Sequence, residues 1–110
     1  DFAPFGMIGL ETALSLAIAE LVKEEYLGWK DLIKKMATNP ADILGCGAGT
    51  LQEGRPADIT IFEPEQKWVY EKKNIRSKST NSPFLGKELT GKVTDVIAAG
   101  RIVLKDGELE

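Results

Sequence analysis

The side chains able to activate water, carry a proton or hold an anion fall into a few groups along this chain, and the type that is missing limits all of them. Among 110 residues there is one cysteine and no histidine. Soluble sites that activate water with a transition metal draw mainly on imidazole and thiolate ligands, so no complete site of that kind can be written from these residues. Cys46 as a nucleophile needs a neighbouring base to raise its thiolate fraction, and no histidine is present to act as one. It reads as a packed or partly exposed thiol. Gly45-Cys46-Gly47-Ala48-Gly49 has the look of a phosphate-cradling loop. A dinucleotide fingerprint, however, lies between a strand and the helix that follows it. This run follows a predicted helix and precedes a strand, which sets nucleotide binding aside.

Carboxylates are plentiful. Glu20, Glu24 and Glu25 share one predicted helix, Asp58 stands beside a predicted strand, and Glu63 and Glu65 come after it. Paired carboxylates run acid–base chemistry where a cleft moves their pKa values apart; the helical three read as a solvated face. Asp58, after Gly54-Arg55-Pro56-Ala57, is expected to fix the strand entrance through side-chain hydrogen bonds. The opening segment is a better candidate for binding. Pro4 fixes its own φ, and Gly6 lets a backbone N–H approach a ligand with no Cβ in the way. Amides at a helix start near Gly9-Leu10 would add the positive end of a dipole. Such a loop suits a carboxylate or imide ligand, and the same residues also describe an ordinary strand-to-helix connection.

Two parts with different periodicities position these groups, and they meet near residue 45. Over residues 10–22 apolar side chains nearly encircle a helix, leaving only a thin polar stripe of Glu11, Thr12, Ser15, Glu20 and Lys23. Trp29, Leu32, Ile33 and Met36 recur at i, i+3, i+4 and i+7 and predict a second, amphipathic helix. A third, short helix is signalled by Asn39 as N-cap, Pro40 at the first helical position and Asp42 near the dipole's positive end. Gly45 would stop it. Beyond it the pattern is β. Residues 57–62 alternate and end at Pro64, residues 68–70 predict a second short strand, and residues 77–86 predict a polar loop. Residues 92–99 and 101–105 flank Gly100 as a hairpin, with Asp106-Gly107 offering a further turn.

The net charge of −3 argues against a nucleic-acid partner, since phosphate binding relies on clustered Lys and Arg. The densest basic group, Lys72, Lys73, Arg76 and Lys78, has no interleaved aromatic platform and reads as a solvated loop. A lone cysteine suits a reducing compartment, with the cytoplasm as the default. The apolar stretch 5–22 is interrupted by Glu11 and Glu20 and lacks a basic lead-in or a small-residue cleavage site, so no membrane segment is expected. Three helices, one apolar on nearly every side, must bury themselves against a few short strands. Each exposed Leu or Ile forgoes roughly 1.5–3 kcal/mol of burial, and a handful would rival the ~5–15 kcal/mol stability of a whole domain. With no methionine at its start either, the chain is expected to be part of something larger.

Three stretches carry a resemblance to the C-terminal part of dihydroorotases, in the amidohydrolase superfamily. The first is Ala3-Pro4-Phe5-Gly6-Met7-Ile8-Gly9-Leu10-Glu11-Thr12, similar to the loop after the last barrel strand. The second, Ala48-Gly49-Thr50-Leu51 through Gly54-Arg55-Pro56-Ala57-Asp58, is shared widely by amidohydrolases. The third, Ser77-Lys78-Ser79-Thr80-Asn81-Ser82-Pro83-Phe84-Leu85-Gly86, resembles dihydroorotases rather than hydantoinases or allantoinases. The resemblance implies an α/β parent: a metal-dependent (β/α)₈ barrel with a small β-sandwich assembled from both chain ends. Residues 1–45 would be the C-terminal helices of the barrel and residues 46–110 the C-terminal part of the sandwich. A complete barrel takes about 250 residues, so most of it would lie upstream.

The implied activity is zinc-dependent, reversible hydrolysis of dihydroorotate to N-carbamoyl-L-aspartate in pyrimidine synthesis. Metal-bound hydroxide would attack the carbonyl and an aspartate would shuttle the proton. The zinc ligands and catalytic groups of such enzymes match no position of this chain, and Asp1 takes no role. Only Phe5 and Gly6 carry over, as a substrate-binding pair acting largely through backbone. Implied partners are dihydroorotate, the rest of the barrel, and a second copy or aspartate transcarbamoylase. Two other readings stay open: a non-catalytic dihydroorotase-like scaffold for aspartate transcarbamoylase, and a cyclic amidase of other substrate such as allantoinase or dihydropyrimidinase, which residues 77–86 argue against. If the helices need partners from outside the chain, hydrogen exchange on the isolated 110 residues should show protection mainly after Ala57; equal protection of residues 10–45 would count against it.

Overall fold

The structure, a computed structural model, describes residues 6–110 and has a helical half followed by one antiparallel sheet. Helix α1 (Ala13–Ala17) runs on without a break into a π-helical turn, Ile18–Val22, whose wider spacing shows in the Lys23 N–H donating to the Ile18 carbonyl at 2.9 Å. Residues 10–12, predicted as helix, form a turn in which the Thr12 and Ala13 amides both bond the Gly9 carbonyl. Helix α2 (Trp29–Ile33) passes through a second π turn, Lys34–Thr38, directly into α3 (Asn39–Leu44).

The expected break before α3 is therefore corrected. Asn39 has helical φ and ψ, and Thr38 holds the N-cap position without a side-chain cap bond. Pro40 inside a regular helix would lose a bond and press its ring on the carbonyl four residues back. The wider π turn just ahead of it loosens that spacing, so the helix continues. Its end falls where the sequence places it. Gly45 takes φ +62°, its N–H bonds the Asp42 carbonyl at 3.2 Å, and the Cys46 N–H bonds the Ala41 carbonyl at 3.3 Å, the paired arrangement of a glycine-terminated helix.

The sheet has strand order β1-β2-β3-β4, all antiparallel, with β1 Ile59–Val69, β2 Glu88–Ala98, β3 Arg101–Lys105 and β4 Glu108–Leu109. The two short strands expected at 57–62 and 68–70 are one strand, and Pro64 does not end it. Pairing runs from Ile59↔Ile97 to Glu63↔Lys92, breaks, and resumes at Lys67↔Thr90. Pro64 lies in that irregular gap, where its missing N–H costs no ladder bond. Both predicted tight turns are present: Ala99-Gly100 and Asp106-Gly107 have positive φ at each central residue, the two-residue hairpin geometry that matches strand twist. A 3₁₀ turn, Lys72–Asn74, and the irregular loop 75–87 join β1 to β2.

Helices and sheet meet where α1 crosses β2. The Ser15 hydroxyl donates to the Gly91 carbonyl at 2.5 Å, and the Trp68 indole N–H donates to the same carbonyl at 3.0 Å. Ile18, fully buried, packs its terminal methyl onto Gly91, which takes φ +88°. Among the described residues, Leu32, Ala41, Tyr70 and Leu89 are the other buried apolar side chains, with Thr12 and Ser15 buried among the polar ones. Among the described residues no helix is long and apolar enough to cross a membrane.

A Cβ at Gly91 would meet both the positive φ and the Ile18 side chain. Gly91→Ala is therefore expected to destabilise the fold by about 2–4 kcal/mol, combining left-handed backbone strain with overpacking. Urea denaturation of the polypeptide carrying it checks this, and an unchanged midpoint would show that the contact is loose.

Candidate functional site

The loop that opens the described chain is held by hydrogen bonds that reach far along the sequence. The Asn81 side-chain amide donates to the Gly6 carbonyl, and the Asn81 carbonyl accepts from the Ile8 N–H at 3.0 Å. Three residues on, the Glu11 carboxylate accepts the Arg76 N–H at 3.1 Å. Loop 6–11 and loop 76–81 are thus laced together at both ends. Between them lies an open depression lined by Gly6, Met7, Asn81, Ser82 and Pro83. Gly6 is exposed, takes φ +75°, and a Cβ built on it would touch nothing. Phe5, the other member of the predicted substrate-binding pair, lies outside the described residues. The helix start expected near Gly9-Leu10 falls at Ala13 instead, so the amides just after Gly9 belong to a turn that leads into the helix.

Tyr70 supports this corner from beneath. Its N–H and carbonyl pair with the Lys87 carbonyl at 3.0 Å and the Gly86 N–H at 2.8 Å, which closes the base of loop 71–87. Its ring is fully buried and meets Trp68 edge-on, with centroids 5.9 Å apart. The hydroxyl has no well-aligned partner among the described residues. Burial is the main cause that pushes the phenol pKa up, and the nearby Glu11 charge adds to it. The neighbouring Ser82 side chain pulls the other way. Glu11 thus faces both Arg76 and Tyr70.

The other sequence-level candidates do not join this corner. Cys46 is exposed, its sulfur 3.8 Å from the Ala41 carbonyl, with no base in hydrogen-bond contact among the described residues. The glycine-rich run serves packing. A Cβ on Gly49 would sit 3.0 Å from the Ala37 carbonyl oxygen and 3.1 Å from Thr38 Cα, so the loop lies flush on the helix. Asp58 accepts the Ala99 N–H at 2.7 Å, while Ala57 accepts the Gly100 N–H at 3.0 Å, which ties the entrance of β1 to the first hairpin turn as expected. Glu20, Glu24 and Glu25 are exposed, as are Lys72, Lys73, Arg76 and Lys78. Among the described residues no three acidic, thiol or imidazole side chains gather into a group that could hold a metal. The donor set here does not fit a zinc site.

Asn81 and Tyr70 were not legible as site residues. Asn81 sits in a Ser/Thr/Pro-rich stretch where asparagine reads as a generic turn former, and its partner is 75 positions away. Nothing local signals such a bond.

Residues 5–103 match the amidohydrolase family model. The chain belongs to the amidohydrolase family. Within it, the chain is 50% identical over 104 residues to a dihydroorotase of Clostridium acetobutylicum, covering 94% of this chain and 24% of that protein. It is 44% identical over 110 residues to a dihydroorotase of Elusimicrobium minutum, covering 100% of this chain and 26% of the other. Among solved structures, an L-hydantoinase (dihydropyrimidinase) from Arthrobacter aurescens superposes with a TM-score of 0.87 at 31% identity, over 98% of this chain and 24% of its own. The chain therefore spans about a quarter of the length of the curated relatives it matches. The mixed α/β architecture with a small antiparallel sheet is the one found in these amidohydrolases.

The raised Tyr70 pKa sets an alkaline limit on this corner. The fold binds the neutral phenol better than the phenolate, so that stability is full below the ordinary phenol pKa of about 10 and is lost as pH rises through the higher folded value. Tyr70→Phe should stay within about 1 kcal/mol of the parent near neutral pH, since the hydroxyl makes no good bond. It should then lose less stability than the parent above about pH 10. Urea midpoints of both at pH 8 and pH 11 decide this; parallel losses would mean that Tyr70 does not carry the alkaline limb.

Proposed function

We propose that this chain is the C-terminal quarter of a dihydroorotase, which hydrolyses the cyclic amide of dihydroorotate reversibly to N-carbamoyl-L-aspartate. The observation that carries the reading is the 50% identity to a dihydroorotase over 94% of the chain. Hydantoinases share the fold at lower identity, 31% for the L-specific one. In this reading residues 1–45 are the last helices of a (β/α)₈ barrel and residues 46–110 are strands of a small β-sandwich. Zinc and the groups that bind it belong to the rest of the polypeptide in this reading, which the lack of any metal-holding cluster among the described residues supports. The reading also places the protein in the cytoplasm.

This chain's own contribution is one edge of the substrate pocket. Phe5 and Gly6 present backbone groups to dihydroorotate, and the absence of a Cβ at Gly6 leaves room for the ring or its carboxylate to come close. The exposed apolar side chains fit the same reading. Leu10 is 95% exposed, Ile43 85% and Leu51 80%. In the whole enzyme they would lie against the rest of the barrel, each gaining roughly 1.5–3 kcal/mol on full burial.

The full-length polypeptide, supplied with zinc, should convert dihydroorotate to N-carbamoyl-aspartate at least ~100-fold more efficiently than it opens hydantoin or dihydrouracil. The isolated 110 residues should show no turnover. A preference for hydantoin would move the protein to the cyclic amidases of other substrate, and hydrolysis by the isolated chain would refute the assignment of the catalytic groups elsewhere.

A further inference from the structure

We propose that Asn81 is a positioning residue for substrate binding: its side chain holds the Gly6 carbonyl and thereby fixes the direction in which the opening loop offers its backbone to the ligand. The inference rests on the dihydroorotase reading for the identity of the ligand, and on geometry for everything else.

Gly6 is the least constrained residue of the corner by its own chemistry. It lacks a side chain, sits exposed, and has open space where a Cβ would be, so side-chain packing does not set its conformation. A left-handed φ of +75° is one of several wells open to glycine. The hydrogen bonds from Asn81 select among them. The side-chain amide takes the Gly6 carbonyl, and the Asn81 main-chain carbonyl takes the Ile8 N–H at 3.0 Å, so two points on either side of Met7 are fixed to one residue. Once the Gly6 carbonyl is fixed, the plane of the next peptide is fixed with it.

Asn81 is itself held. Its N–H bonds the Ser79 hydroxyl at 3.2 Å, and the next turn is closed by the Phe84 N–H on the Ser82 hydroxyl at 3.3 Å. Its side chain is half-buried, and the residue shares the walls of the depression with Gly6. A residue that served only its own loop would have no need to reach 75 positions back to an exposed glycine. A backbone-built binding edge has that need, because a ligand bound by main-chain groups gains affinity when those groups are already aimed.

The test uses the full-length, zinc-loaded polypeptide. Asn81→Asp keeps the shape but turns the donor facing the Gly6 carbonyl into an acceptor. It should raise KM for dihydroorotate by about tenfold or more while kcat stays within about threefold, the pattern of lost binding contacts. Asn81→Gln, which keeps the amide donor on a longer arm, should fall between Asn81→Asp and the parent. If Asn81→Asp lowers the thermal midpoint and leaves KM unchanged, Asn81 serves the fold alone and the proposal is wrong. It is equally wrong if kcat falls with KM unchanged, or if neither variant folds. If the parent protein itself does not turn over dihydroorotate, the functional reading fails and takes this proposal with it, an outcome distinct from an active parent with an indifferent Asn81.

Discussion

Helix α1 meets the sheet through a backbone carbonyl rather than through side chains alone. Gly91 offers that carbonyl at a point where β2 carries no side chain, and two donors from different elements converge on it: Ser15 from the helix and Trp68 from β1. A buried carbonyl left unpaired costs about 1–3 kcal/mol, so doubly satisfying this one makes the helix position unequal to its neighbours. Shifting α1 by a residue would replace Ser15 with Leu14 or Leu16, neither of which can donate a bond. The contact therefore sets the helix in register as well as in place. Ile18, one turn on, fills the space above the same glycine.

Everything at the candidate site hangs from that register. With α1 fixed, the turn Gly9–Thr12 is fixed, and Glu11 faces the Arg76 amide and the Tyr70 ring. Tyr70 is one end of the clasp that closes loop 71–87, through its bonds to Gly86 and Lys87. The far side of that loop then brings Asn81 to Gly6. The sheet thus positions an exposed glycine through a helix, a carboxylate and a loop, none of which touches the position of the glycine directly except Asn81. The surface ion pairs add little to this. Lys23–Glu65 and Lys67–Glu88, at 3.1 and 2.9 Å, join side chains that stay largely or partly in water, where solvent screens the attraction.

The parts of the fold legible in the sequence are those whose cause is local. Gly45 stops its helix, Ala99-Gly100 and Asp106-Gly107 turn their hairpins, and Asp58 braces the strand entrance, because each depends on residues a few positions away or on a turn it flanks. The misread parts depend on distant partners. Pro64 ends a strand when judged by its own neighbours and is tolerated because β1 bulges there, residues 64–66 standing unpaired against Gly91 alone. Asn39-Pro40 starts a helix by local rules and continues one when a π turn precedes it. For the site, the sequence points to Gly6 through its missing Cβ, while Asn81 carries no sign of its partner.

An architecture shared this widely does not by itself set a ligand. The chain superposes on the L-hydantoinase from Arthrobacter aurescens with a TM-score of 0.87 at only 31% identity. A scaffold held that constant leaves discrimination to loops and to the few groups they aim. Here the two loops that meet both carry residues that resemble dihydroorotases. The opening segment holds Gly6, and the stretch 77–86, the one that resembles dihydroorotases rather than hydantoinases, holds Asn81. Their convergence on one depression joins the two stretches of resemblance in space: the hydrogen bonds of Asn81 to Gly6 and Ile8 hold one loop against the other.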